Sequence, residues 1–249
     1  MNSRLVAIAG VALVMLAGCV GSGPAVPEVG SPITTPQQVY AAIGASETVG
    51  VGTDEPLREA WPRVLWRTTL PDAVYLNMGI GGATTGEALR YQVPETVAAD
   101  PNIVTVWLNV NDLIARVPVR VYARQLDSLV GRLGSGGAAV FVANTPRLDS
   151  LPAYLACRPS PPVGGPACVA GRQLPPPDRI RAAVAAYNRA IQRVATRRGA
   201  TVVDLHALGD TPVLHPTYVS PDGFHPSAEG AAVIARAFAA AITAAGSAG

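Results

Sequence analysis

Five short apolar segments alternate with longer stretches of helical spacing, and this alternation restricts the fold more than any other feature of the chain. The segments are QVYAAIGAS (38–46), AVYLNMGI (73–80), IVTVWLNV (103–110), AAVFVANTP (138–146) and TVVDLHA (201–207). Helical spacing is found at about 56–69, 84–99, 119–133, 178–198 and 227–244. Strands that are apolar on both faces are typical of a parallel sheet covered by helices on both sides. The sequence therefore predicts an α/β fold, a three-layer α/β/α sandwich around a five-stranded parallel sheet.

The N-terminus has the pattern of an export signal. MNSRLVAIAGVALVMLAGC carries one positive charge at Arg4, then an apolar run, then Gly18 and Cys19. The run is too short to span a bilayer comfortably. Leu16–Cys19 (LAGC) resembles the lipobox of bacterial lipoproteins, which implies cleavage before Cys19 and lipidation of its sulfur. The alternative is an ordinary signal peptide that happens to contain a cysteine.

These features predict three parts of the chain. Residues 1–18 are a lipoprotein signal peptide, and residues 19–36 are a Gly/Pro/Ser tether that begins at the lipidated Cys19. Residues 37–249 are one domain. We expect an exported protein that is anchored to the bacterial membrane and faces away from the cytoplasm.

Two further cysteines flank a segment that suits neither a helix nor a strand. Cys157 and Cys168 enclose RPSPPVGGPA. In an oxidising compartment this spacing predicts a disulfide that closes the loop. A pair of zinc thiolates is the alternative, but no third and fourth ligand lie nearby at zinc spacing. We expect no metal and no cofactor.

Composition excludes some partners. The chain has 249 residues, a net charge of +2 and no lysine, and its arginines form no cluster or aromatic-interleaved stripe. Nucleic-acid binding is therefore not expected. Nothing in the sequence indicates an oligomeric state.

Polar or glycine-rich residues follow the first three predicted strands. Ser46 follows the first, the glycine-rich NMGIGGATTGEA follows the second, and Asn109, Asn111 and Asp112 end the third. Each fragment by itself is equally typical of a turn or a helix cap. Glycines there also let backbone N–H groups approach a ligand at a helix N-terminus.

A fourth fragment, DGFH, places Asp222 and His225 three residues apart just before the last helix. Alone it describes a turn into that helix. The four fragments in this order resemble the SGNH hydrolases, also called the GDSL lipase/esterase family, over about residues 39–244. The resemblance implies a flavodoxin-like fold and hydrolysis of carboxylic esters.

Carried over position by position, the resemblance assigns roles to five residues. It implies that Ser46 is the nucleophile, with Asp222 and His225 as its acid–base partners. It also implies an oxyanion hole made by the N–H groups of Ser46 and Gly82 with the Asn111 amide. Gly79 and Gly81 would shape the turn that carries Gly82.

The chain departs from the family pattern at two blocks. The first usually reads Gly-Asp-Ser-Leu, and here Ala45 precedes and Glu47 follows Ser46. We therefore expect a different bracing of this turn. The third usually begins with glycine, and Asn109 takes that place, which predicts less room beside the cleft.

The residues also define a mechanism. A serine hydroxyl needs a base within hydrogen-bond reach. His225 would take the Ser46 proton and return it to the leaving alcohol, while Asp222 would hold the imidazole. Family members act on lysophospholipids, simple esters, thioesters and acetylated sugars. The sequence leaves two alternatives open. One is an O-acyltransferase that uses the same residues, and the other is a non-catalytic envelope lipoprotein, a binding or assembly module with the same fold.

The other histidines and aspartates have weaker patterns. His206 is predicted to be a structural histidine at a strand end, whereas His215 could contact the substrate or compete for the role of base. Asp204 and Asp210 are expected to cap or brace. The long segment 147–177 follows the fourth strand at the edge where such sheets bind ligands. The last helix is expected to pack on the sheet.

Overall fold

The computed structural model describes residues 37–161, 163–164, 168, 173–209 and 214–247. The predicted signal peptide, Cys19 and tether lie outside these residues. Five strands form one parallel sheet in the order β2-β1-β3-β4-β5. They are β1 (Val39–Gly44), β2 (Val74–Asn77), β3 (Ile103–Trp107), β4 (Ala139–Ala143) and β5 (Thr201–Val203). The predicted α/β/α sandwich with a flavodoxin-like strand order is confirmed.

The helices are, in chain order, α1 (Ser46–Val49), α2 (Pro56–Glu59), α3 (Trp61–Thr69), α4 (Thr85–Tyr91), α5 (Val93–Ala98), α6 (Val110–Ile114), α7 (Val119–Gly134), α8 (Pro152–Cys157), α9 (Pro177–Arg198) and α10 (Ala228–Gly246). Three of the predicted helices agree closely with α7, α9 and α10. The predicted helix 56–69 is instead α2 and α3, and 84–99 is α4 and α5. Both breaks lie just before a proline, Pro62 or Pro94, in the first turn of the second helix, where the missing N–H of proline removes no intrahelical bond.

Alternate residues of the central strands enter two separate apolar clusters. On β3, Val104 and Val106 face one cluster, whereas Ile103 and Trp107 face the other. Side chains of α4, α5, α7 and α9 complete the first cluster, and those of α3 and α10 complete the second. The apolar character of both strand faces thus reflects two buried sides of the sheet.

The last helix packs against the sheet, as predicted. By length and composition α10 could cross a membrane. Its Phe238 is fully buried, however, and stacks on Trp61 of α3 with ring centroids 4.3 Å apart. Ile234 and Ala235 are buried in the same cluster. One face of this apolar helix therefore belongs to the protein core.

The connection from β4 to α9 is tied down at two points. Cys157, at the end of α8, forms a disulfide with Cys168. Nearer to β4, the buried carboxylate of Asp149 accepts hydrogen bonds from Arg147, at 3.1 Å, and from Arg181 of α9, at 2.9 Å. Hydrogen bonds from these guanidinium groups hold the pKa of Asp149 below its usual value even though burial alone raises it. The ion pairs fix the start of the connection beside the carboxyl edge of the sheet.

Candidate active site

The turn after β1 brings Ser46 to the carboxyl edge of the sheet. Gly44 ends the strand, and a Cβ at this position would lie 1.9 Å from Thr48 Oγ1. Only glycine therefore lets α1 begin so close to the strand. Ala45, between them, is buried in the apolar cluster beside α4 and α7.

A buried glutamine holds the end of β1. The Gln92 side chain accepts a hydrogen bond from Gly44 N at 3.0 Å and donates one to Gly44 O at 2.9 Å. Gln92 is 1% exposed, and a buried amide with both groups satisfied fixes its partner in one position. Sequence reasoning missed this residue, because Gln92 lies 48 positions from Gly44 and carries no motif.

Ser46, His225 and Asp222 form a hydrogen-bonded chain. His225 Nε2 lies 3.0 Å from Ser46 Oγ, and His225 Nδ1 lies 2.6 Å from Asp222 Oδ2. An ionised Asp222 accepts from Nδ1–H, which leaves Nε2 as the acceptor of the Ser46 hydroxyl. The structure therefore brings three of the predicted site residues together, across a separation of 179 positions between Ser46 and His225.

Local donors keep Asp222 ionised. Its Oδ1 accepts hydrogen bonds from Ser220 Oγ at 2.7 Å, Phe224 N at 2.8 Å and His225 N at 2.9 Å. Partial burial alone would raise the pKa of Asp222, but these donors and the His225 ring lower it to about 2. Ser220 was not singled out from the sequence; its position two residues before an aspartate in a turn is the signal that was available.

Asn111 lies in α6, directly after β3, and contacts the loop that carries Gly82. Its Nδ2 donates to Ala83 O at 3.1 Å. Gly82 is exposed and has φ of +78°, and a Cβ there would meet no atom within 4 Å. Because an amide NH₂ has two hydrogens, the bond to Ala83 orients the group and leaves the second hydrogen for a ligand.

A buried aspartate joins the same two segments. Asp112 Oδ2 accepts hydrogen bonds from Thr85 N at 2.9 Å and from Thr85 Oγ1 at 3.0 Å. Asp112 is fully buried, and burial raises its pKa although the Thr85 donors partly oppose this. The start of α4, next to Gly82, is therefore fixed relative to Asn111.

The two departures from the family pattern have defined places. Asn109 is 2% exposed, and its Nδ2 donates to Ala143 O at the end of β4 at 3.3 Å. It also lines a small cleft together with Ala45, Glu47 and Asn111. Its side chain thus joins two strand ends as well as occupying space beside the cleft.

Glu47 is also almost completely buried, at 9% exposed. Its Oε2 lies 3.5 Å from Ser46 Oγ, at the limit of a hydrogen bond. Burial raises the pKa of Glu47, while its backbone N–H and the nearby His225 act in the opposite direction. A carboxyl group is therefore present beside the serine, but it comes from the following residue.

The remaining predicted residues lie outside this chain of hydrogen bonds. His206 Nδ1 lies 3.0 Å from Thr145 O, and Asp204 Oδ1 accepts from Asn144 Nδ2 at 2.7 Å, so both brace the ends of β4 and β5. His215 stacks on Tyr218, and His225 is the histidine that contacts Ser46. Asp210 lies outside the described residues. Within the part of the chain that the structure describes, no group of three or more His, Cys, Asp or Glu side chains could hold a metal ion.

The sequence matches the model of the GDSL-like lipase/acylhydrolase family over residues 42–233. The chain belongs to this family. A search of curated proteins found no significant match. As a GDSL-like acylhydrolase, the protein is an ester hydrolase.

Solved structures share the GDSL-like fold at low sequence identity. The psychrotrophic esterase EstA from Pseudoalteromonas sp. is 17% identical with a TM-score of 0.62, over 83% of this chain and 97% of the esterase. A catalytic mutant of an acetylxylan esterase from Geobacillus stearothermophilus is 18% identical with a TM-score of 0.59, over 82% and 94%. A G-D-S-L family lipolytic protein from Desulfitobacterium hafniense DCB-2 is 15% identical with a TM-score of 0.56, over 82% and 99%. The fold therefore extends over nearly the whole length of each of these proteins.

Proposed function

We propose that the protein is a serine esterase that cleaves carboxylic esters through an acyl-enzyme on Ser46. The proposal is carried by one observation, the hydrogen-bonded chain from Ser46 through His225 to Asp222 in a member of an acylhydrolase family. This order of nucleophile, imidazole and carboxylate is the arrangement that activates a serine in unrelated hydrolases.

In the first step Ser46 Oγ attacks the ester carbonyl carbon as His225 Nε2 accepts the serine proton. Asp222 stabilises the resulting imidazolium, and His225 then gives the proton to the leaving alkoxide, which departs as the alcohol. In the second step His225 takes a proton from water, the hydroxide oxygen attacks the acyl carbon, and Ser46 leaves with the proton returned. The products are one alcohol and one carboxylic acid.

The tetrahedral intermediates of both steps carry a negative oxygen that needs donors. We assign this role to the N–H groups of Ser46 and Gly82 and to the second Nδ2 hydrogen of Asn111. Ser46 is the first residue of α1, and no atom lies within 4 Å of the Cβ position of Gly82. The Asn111 amide is oriented by its hydrogen bond to Ala83 O. Donors that are fixed before the reaction stabilise the charge without reorganisation.

The location of the enzyme is part of the proposal. The apolar run before Cys19 and the LAGC tetrapeptide support export and lipidation at Cys19, with residues 19–36 as a tether. Lipidation with two or more acyl chains would give stable anchoring. Ester substrates of membranes or of the cell envelope would then be within reach.

The test uses the purified chain with p-nitrophenyl acetate and a fluorophosphonate label. We expect hydrolysis and covalent labelling in the wild type, and neither in Ser46→Ala. Labelling and turnover that persist in Ser46→Ala would refute the assignment of the nucleophile. A wild type that is folded by circular dichroism but hydrolyses no ester and takes no label would refute the esterase.

A further inference from the structure

An apolar cavity is lined by residues that are next to Ser46, Asn111 and His225 in the chain. It measures about 730 Å³, part of which is open to solvent, and Glu47 and Val110 line it. These residues adjoin Ser46 and Asn111 in the chain. Phe224 and Pro226 also line the cavity and flank His225 on both sides. The cavity is therefore bounded by the neighbours of the residues that we assign to the reaction.

The walls come from three parts of the fold and are mostly apolar. Trp107 ends β3, Leu205 follows β5, and Ile234 belongs to α10. All three residues are buried. Val233 of α10 and Leu151, before α8, are partly exposed into the same space. A concave, mainly hydrophobic site with a few polar groups is typical of a pocket for a small apolar ligand.

The polar side-chain groups of the cavity are few, and one of them, the buried Nε1 of Trp107, has no hydrogen-bond partner among the described residues. Arg147 pairs with Asp149 at 3.1 Å, and Glu47 lies 3.5 Å from Ser46 Oγ. A sugar unit would bring more hydroxyl groups into this space than these few side chains can bond, and a buried hydroxyl without a partner is costly. An alkyl chain requires no such partners and gains from leaving water.

Building on the proposed esterase, we propose that this cavity binds an apolar chain of the ester substrate. Glu47, which lines the cavity, has its Oε2 3.5 Å from Ser46 Oγ, and Val233 and Leu151 also lie on the walls. The substrate class is then an ester with a medium-length alkyl chain, carried on the acyl or the alcohol side, rather than an acetylated polysaccharide.

The experiment compares chain lengths on each side of the ester. kcat/KM is measured for p-nitrophenyl octanoate against acetate, and for octyl acetate against ethyl acetate, with the wild type and Val233→Phe. Val233→Phe fills the cavity, and Leu151→Phe does so from a different segment. Val97→Phe is the matched control, since Val97 is a 41% exposed residue of α5 outside the cavity.

We expect the wild type to prefer the octyl-containing ester in one of the two series. Each cavity-filling variant should lower that octyl-to-short ratio by about tenfold or more, and Val97→Phe should leave it unchanged. The series that responds identifies the side of the ester that carries the chain. Ser46-dependent hydrolysis with no chain-length preference, or ratios that both variants leave unchanged, would overturn the cavity assignment while the esterase stands.

A binding measurement separates this inference from the proposed function. Calorimetry with octanoate and with octanol on Ser46→Ala should detect binding of one of them, and adding Val233→Phe should weaken it by about tenfold. Absence of binding of both compounds would overturn the cavity assignment whatever the activity. Binding without hydrolysis of any ester by the wild type would leave the cavity in place and refute the esterase.

Discussion

Gly52 lies directly against His225. A Cβ on Gly52 would be 2.7 Å from His225 Cβ and 2.6 Å from Pro226 O, and the residue has φ of +98°. Gly52 lies in the loop after α1, the helix that starts at Ser46. This loop therefore packs against the segment that carries the His225 imidazole. The distance between His225 Nε2 and Ser46 Oγ depends on the absence of a side chain at Gly52.

Gly52→Ala is expected to lower kcat by about a hundredfold, because a displacement of about 1 Å between reacting groups has an effect of that size. Steady-state kinetics with p-nitrophenyl acetate measures the loss. Gly137→Ala is the matched control: φ is +91° there, but a Cβ would meet no atom within 4 Å. Gly137→Ala introduces a similar backbone strain without contact to His225. Equal losses of kcat in the two variants would therefore contradict the explanation that the Cβ of Gly52→Ala displaces His225.

Asn111→Ala is expected to reduce kcat by about a hundredfold to a thousandfold with a small change in KM, because in the proposed mechanism the amide stabilises the charge of the transition state. Asn109→Ala is the comparison, since Asn109 bonds to Ala143 O and should affect the free energy of unfolding more than kcat. Urea denaturation of separate samples first verifies that both variants are folded. kcat and KM are then measured on the native proteins. A change confined to KM in Asn111→Ala would remove Asn111 from the oxyanion hole.

The ionisation of Asp222 predicts a pH dependence of stability. Its pKa in the folded protein is about 2, below the usual 3.8, so its contribution is fully present above pH 3.8 and is lost as the pH falls through 2. Asp222→Asn lacks this contribution. The difference in free energy of unfolding between wild type and variant should therefore shrink between pH 4 and pH 2, as measured by urea denaturation. A difference that stays constant over this interval would show that Asp222 is not stabilised as the carboxylate.

The disulfide predicts a dependence of stability on reductant. Cys157 and Cys168 are 11 positions apart, and closing a loop of this length is worth about 3 kcal/mol in the chain-entropy model. A reducing agent should lower the free energy of unfolding by about this amount. The variant Cys157→Ala/Cys168→Ala should not respond to the reductant. A wild type that is equally stable when reduced would mean that the loop adds nothing to stability.

The fold was predictable because the alternation of apolar strands and helices reports directly on burial. The break before Pro62 was missed in the sequence, although a proline inside a stretch of helical spacing is a signal that a new helix starts there. Ser46 and His225 were identified from their motifs, and the structure brings them within 3.0 Å. Gln92 and Gly52 could not be identified, because each acts through a contact between distant positions that leaves no local pattern. Lipidation at Cys19 stays a prediction.

The separation of 179 positions between Ser46 and His225 has a consequence for the timing of activity during biosynthesis. The serine leaves the ribosome early, whereas the turn that supplies its base, 219–226, is made shortly before α10. In the proposed mechanism, a nascent or truncated chain that ends before this turn has no base for the Ser46 hydroxyl, so it would hydrolyse no ester.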